Sequence, residues 1–129
     1  MPSMNKVQLI GHVTRDLELR SLPNSSQAVT NFTVATNEAW TDQAGKRQEH
    51  TEWNQCVAFG KLAETCAKYL TKGRLVYVEG RLRTREFNSQ TQGAPKQQRT
   101  EIIAGRVMFL GKPEAGEPNE GDEGEAAKQ

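Results

Sequence analysis

The chain has 129 residues, a net charge of +1 and two cysteines, which is enough length for one buried core and too little for two. The near-zero charge hides an asymmetry: from Glu114 onward there are six acids and one lysine, leaving sixteen basic and ten acidic residues, about +6, in residues 1–113. No apolar leader and no run of about 20 apolar residues is present, so neither a signal peptide nor a membrane span is expected.

Residues 5–13 alternate Val7, Leu9 and Gly11 with Gln8, Ile10 and His12, which predicts a first strand with room to continue as far as Arg20. Pro23-Asn24-Ser25-Ser26 is turn chemistry. A second strand is predicted over residues 28–38, where Phe32, Val34 and Thr36 alternate with Asn31, Thr33 and Ala35. Residues 41–50 are polar and contain Ala44-Gly45-Lys46, the signature of a projecting hairpin loop. The third strand falls at residues 52–59. A helix is predicted over residues 61–71, with Leu62, Cys66 and Leu70 on one face and Gly73 as its stop.

Residues 75–88 predict a long fourth strand, with a bulge at Gly80 that resets which face its side chains occupy. A second polar loop follows at residues 88–96. The fifth strand, residues 98–110, carries Ile102, Ile103, Val107 and Phe109. Beyond it the chain has no aromatic or β-branched residue and cannot offset its own ordering entropy, so residues 113–129 are expected to be a disordered acidic tail on a domain of residues 1–112. Five strands with one helix between the third and fourth is the order of the OB-fold, an all-β, partly open barrel whose face and loops bind oligonucleotides or oligosaccharides.

The chemistry is concentrated in Arg81-Leu82-Arg83-Thr84-Arg85-Glu86-Phe87. The period of two puts Arg81, Arg83, Arg85 and Phe87 on one side of a strand, a row of guanidinium groups ending in a ring. Trp53, Gln55, Val57 and Phe59 share one side of the third strand. Arginines hold phosphates while rings take bases without reading their identity, so the pattern suits a flexible polyanion. Trp40, at the mouth of the first polar loop beside Thr41 and Asp42, suits stacking better than packing.

The alternatives are structural. The arginines could be a solvated face that blunts a sheet edge. Phe59, before Gly60, could plug the barrel end, and the pattern leaves open which face of the Trp53 strand is buried. No Gly-rich phosphate loop and no Ser-His-Asp or Cys-His spacing occurs, so catalysis is not expected. Cys56 and Cys66 lack metal-site spacing with His12 and His50; reduced thiols, no metal and no cofactor are expected.

Several segments taken together resemble the bacterial single-stranded DNA-binding protein family, which has mitochondrial relatives. They are Asn5-Lys6-Val7 with Ile10-Gly11, Ala35-Thr36-Asn37-Glu38-Ala39-Trp40, Thr51-Glu52-Trp53, Phe59-Gly60-Lys61-Leu62-Ala63-Glu64, Tyr69-Leu70 with Lys72-Gly73, Val78-Glu79-Gly80 before Leu82-Arg83-Thr84-Arg85, and Met108-Phe109-Leu110-Gly111. They run in order over residues 5–111. The resemblance implies an OB-fold homotetramer that wraps single-stranded DNA during replication, recombination and repair, in the bacterial cytoplasm and associated with the nucleoid. It implies that Trp40, Trp53, Phe59 and Phe87 stack on bases, and that Lys6, Arg20, Lys61, Lys72, Arg83 and Arg85 meet phosphates.

Some positions depart from the family. Phe87 stands where some members have Trp, and Asn54 and Gln55 replace a His near the subunit contact and an Arg. The family's acidic end usually carries a few hydrophobic residues that recruit replication and repair proteins; Gly124-Glu125-Ala126-Ala127-Lys128-Gln129 has no such tip. An OB-fold replication-restart or RNA-binding module, or a scaffold whose arginine face meets an acidic protein, are the competing readings.

Overall fold

Strands form where β-branched and aromatic residues recur at every second position. In the computed structural model, which describes residues 1–21, 26–87 and 97–111, the elements are β1 (Val7–Val13), β2 (Arg20–Ser21), β3 (Ala28–Thr41), β4 (Arg47–Phe59), α1 (Gly60–Tyr69), β5 (Leu75–Phe87) and β6 (Gln97–Phe109). The sheet runs β1-β5-β6-β4-β3-β2, and an extra antiparallel pairing of β1 with β3 closes the five long strands into a barrel. The two-residue β2 lies on β3 outside the ring. This is the expected OB-fold, with its helix between β4 and β5. The turn at residues 22–25, the loop at 88–96 and the acidic tail lie outside the described residues.

Closure depends on two seams. β1 runs along β5 from Val7↔Gly80 to His12↔Leu75, and at His12 and Val13 it also meets Ala35 and Val34 of β3. Gly11 sits at that change of partner, buried, where any Cβ would run into the carbonyl oxygen of Ala35. The other seam is a short parallel pairing of β4 with β6, Cys56↔Ile102 and Val57↔Ile103.

Inside lie Val13, Phe32, Val34, Ala58, Val76, Val78, Val107 and Phe109, with Leu62, Ala63 and Cys66 of α1 packed onto them. Both cysteines are free thiols in this core, and burial pushes each up to about 12.

Four expected boundaries shift. The helix ends at Tyr69, because Leu70 takes an extended conformation that buries its side chain while its N–H still reaches Cys66 O at 2.8 Å. Gly73, with φ +89°, belongs instead to the following turn, where Arg74 N–H bonds Thr71 O at 3.0 Å. β1 stops at Val13 and does not run on toward Arg20.

The polar segment at residues 41–50 is mostly strand: β3 and β4 pair without a break to Thr41↔Arg47, leaving residues 42–46 as the turn. The Asp42 carboxylate organises that turn, accepting the Lys46 and Ala44 N–H groups at 2.8 and 3.0 Å and the Gln48 amide at 3.0 Å. The Lys46 bond, then Gln48, holds its pKa below the usual carboxylate range.

The bulge is real, yet it lies in the other strand. The single step Glu79 to Gly80 faces Arg106 and Ala104, so Gly105 of β6 is the extra residue. β6 therefore changes face, burying Ile102 and Ala104 before the bulge and Val107 and Phe109 after it, while β5 keeps its alternation. Gly80 is needed for another reason, since a Cβ there would meet the carbonyl of Ile103.

Candidate nucleic-acid interface

Because Cys56 and Ala58 face the core, the other side of β4, with Trp53, Gln55, Val57 and Phe59, faces out. Trp53 lies opposite Ala35, whose small side chain leaves the ring 60% exposed. Phe59 lies opposite Val29, half-buried, where Gly60 at φ +66° turns the chain into α1. The open question about the Trp53 strand is thus answered by its cysteine and alanine.

Across the β4–β6 seam the outward residues of β6 and β5 continue the surface. Arg20, Phe59, Arg83 and Arg85 line one open groove of about 520 Å³, together with Arg99 and Glu101. Four arginines and one glutamate give this groove a net charge of +3. Val57, 4% exposed, lines it from β4, Val29 and Asn31 from β3, and Ser21 from β2.

Glu101 has the most unusual position. It lies directly opposite Arg83 on the outward face, yet its side chain is 5% exposed beneath the arginines. Its Oε1 accepts Arg83 Nη2 at 2.8 Å and lies 3.2 Å from Arg85 Nε. The arginine row is therefore not a set of like charges facing nothing acidic. Glu101 and Arg99 were not singled out in the sequence; alternation on β6, Arg99-Glu101-Ile103, is the signal that could have found them.

The remaining candidates are dispersed. Trp40 lies inside β3 opposite Gln48 and is 49% exposed. The unbroken β3–β4 register puts it on the opposite face of the ribbon from Trp53, five residues past Trp53's partner Ala35, or roughly 17 Å along the strand. Phe87 ends β5 in register with Gln97, and its side chain lies outside the described residues.

Lys6 lines a separate recess with Arg81 and Arg106 and approaches Glu79 Oε1 at 3.8 Å. Glu79 also accepts the Tyr77 hydroxyl at 2.6 Å, a bond that lowers the Glu79 pKa and raises that of Tyr77. Lys61, in the first turn of α1, and Lys72, in the turn after it, are exposed and lie outside the groove. Asn54 turns its amide back onto Val34 O and Thr36 Oγ1 at 3.0 and 3.1 Å.

Among the described residues no group of three or more His, Cys, Asp or Glu could hold a metal ion, and no helix is long and apolar enough to cross a membrane. The surface offers positive charge and rings.

Comparison with known proteins agrees with this arrangement. The chain is 48% identical over 113 residues to Single-stranded DNA-binding protein 1 of Chlorobaculum tepidum, covering 88% of this chain and 68% of that one. It is 47% identical over 111 residues to the single-stranded DNA-binding protein of Neisseria meningitidis serogroup B, covering 84% and 61%. Among solved structures, the Plasmodium falciparum SSB complex with ssDNA superposes with a TM-score of 0.76 at 35% identity, covering 86% of this chain and 98% of that one. A deletion mutant of the single-stranded DNA binding protein from Thermus aquaticus gives 0.72 at 30% identity, covering 84% and 51%. This chain is therefore shorter than several relatives it matches. Residues 4–110, the whole barrel, match the model of the single-strand binding protein family, and the chain belongs to that family.

Proposed function

We propose that this chain binds single-stranded DNA without reading base sequence, and catalyses no reaction. One observation carries the reading: Arg20, Arg83 and Arg85 share a single groove with Phe59, on the face from which Trp53 projects. Guanidinium groups there neutralise the phosphodiester backbone, and unpaired bases stack on the exposed rings. A duplex offers no free base faces to such a surface. The names of the matched relatives and the ssDNA complex of the Plasmodium falciparum neighbour support the choice of ligand.

In this proposal Trp53 and Phe59 form the central stacking platform, and Trp40 and Phe87 extend it along the β3–β4 ribbon and to the end of β5. Lys6, Lys61 and Lys72 meet phosphates outside the groove. The strand must pass around the ribbon to reach both tryptophans, which favours wrapping over a straight path. Wrapping needs more surface than one barrel provides, so the functional unit is a homotetramer acting in DNA replication, recombination and repair.

Titration with a long oligo-dT, read by tryptophan fluorescence and by the mass of free and bound protein, tests the proposal. Strong quenching and a tetramer holding one strand are expected. Unchanged emission at saturation, or preference for a folded RNA, would refute it.

A further inference from the structure

We infer that Glu101, buried beneath the arginine row, is a positioning residue for phosphate binding; the inference rests on the single-strand reading and names a device within it. A carboxylate in a phosphate-binding groove should on charge alone weaken the site. Its geometry argues the reverse. Glu101 engages two guanidinium groups, accepting a hydrogen bond from Nη2 of Arg83 at 2.8 Å and forming an ion pair with Nε of Arg85 at 3.2 Å. Each guanidinium keeps further donors, and the two side chains remain 38% and 50% exposed.

The carboxylate holds the inner edge of the fork, so the outer edge is presented to the strand already oriented. Arginine has a long, rotamer-rich side chain, and ordering it is a cost that binding otherwise meets. Glu101 also separates charges that would repel, since Arg83 and Arg85 are two residues apart on one face and Arg99 lies opposite Arg85. Burial fixes the carboxylate itself: at 5% exposure it has little freedom to swing away when a phosphate arrives.

The test is the affinity of full-length Glu101→Gln for a long oligo-dT at about 0.3 M NaCl, where the long-range effect of one changed charge is largely screened. Loss of orientation should weaken binding roughly threefold to tenfold, the equivalent of ordering one or two such side chains. The same substitution in an Arg83→Lys/Arg85→Lys background should cause no such loss, because an ammonium group has no second edge for Glu101 to orient.

Binding by Glu101→Gln as tight as wild type, or tighter, overturns the inference, and so does an equal loss in both backgrounds. If Glu101→Gln does not fold, Arg83→Lys/Arg85→Lys alone decides: charge is conserved, so undiminished affinity overturns the inference and a loss of threefold or more sustains it. Wild-type protein that fails to bind oligo-dT would remove the single-strand reading and this inference with it, whereas wild-type binding with an unaffected Glu101→Gln removes this inference alone.

Discussion

Arg85→Ala is expected to lower the slope of log K against log salt by about 0.7, because each phosphate contact on a single strand releases roughly that many counterions. Arg85 is the informative single change. It is half exposed, and its tie to Glu101 is the longer one, 3.2 Å against 2.8 Å, so Glu101 keeps Arg83 when Arg85 is removed. Arg83→Ala is a poorer choice, since it removes the shorter tie to a carboxylate that is 5% exposed and leaves Glu101 only its longer contact with Arg85, which mixes a folding effect with the binding effect.

The stronger perturbation is therefore Arg83→Ala/Arg85→Ala/Glu101→Gln, in which the buried charge leaves with its partners. Its slope should fall by about 1.4. Between 50 and 200 mM salt one lost contact reduces the salt-induced drop in affinity by a factor of roughly 2.6, and two by about 7. Fluorescence titration with oligo-dT at four salt concentrations measures this, with circular dichroism as the check on folding. Oligo-dA should shift by the same amount, because phosphates carry no sequence. A triple variant with the wild-type slope would mean that the groove does not hold phosphates.

Trp53→Ala and Phe59→Ala should each cost about 1–3 kcal/mol of oligo-dT binding; the 60% exposure of Trp53 predicts a melting temperature near wild type, and a large drop would reassign it to packing. Gly11→Ala and Gly80→Ala should each destabilise the barrel by about 1–3 kcal/mol in urea titrations, because the added methyl group meets backbone that cannot yield. The two thiols, pushed up to about 12 when folded, stay protonated at pH 9–11 while those of the unfolded chain, near an ordinary value of about 8.5, ionise. Their contribution is thus intact below about pH 8.5 and is lost as pH rises through that window, at no more than about 2.7 kcal/mol per pH unit for both; pH-dependent denaturation of Cys56→Ala/Cys66→Ala should lack that component. Deleting residues 114–129 removes six acids and one lysine, and should tighten oligo-dT binding at low salt and matter little at high salt; equal affinity at low salt would leave the tail only a solubilising role.

The barrel was legible because Phe32, Val34, Val76 and Val78 sit at core positions with the period of two intact. The ribbon at residues 41–50 was not, since a strand solvated on both faces has no apolar alternation to distinguish it from a loop. The bulge carried a glycine signal in both strands, at Gly80 and Gly105, and only the register says which strand holds the extra residue. Arg83 and Arg85 share a strand face by their spacing alone, whereas only the structure brings Phe59 and Arg20 into the same groove. Glu101 escaped notice because its meaning lies in a partner eighteen residues away on another strand. Local surroundings do not tell how the two tryptophans lie relative to each other; only the register between β3 and β4 places them on opposite faces.

The two seams that close the barrel also set when the protein can fold. β1 ends at Val13, but its partner β5 begins at Leu75, and β4 waits for Ile102 and Ile103 of β6. During synthesis at about 5–20 residues per second, the interval from Val13 to Phe109 lasts roughly 5–20 s, with strand edges open throughout. Pairings of such long sequence separation also place refolding of the finished chain in the millisecond-to-second range. The nascent chain is thus most vulnerable to aggregation before β6 emerges, and a ribosome stalled short of Ile102 would display an unclosed barrel to its surroundings.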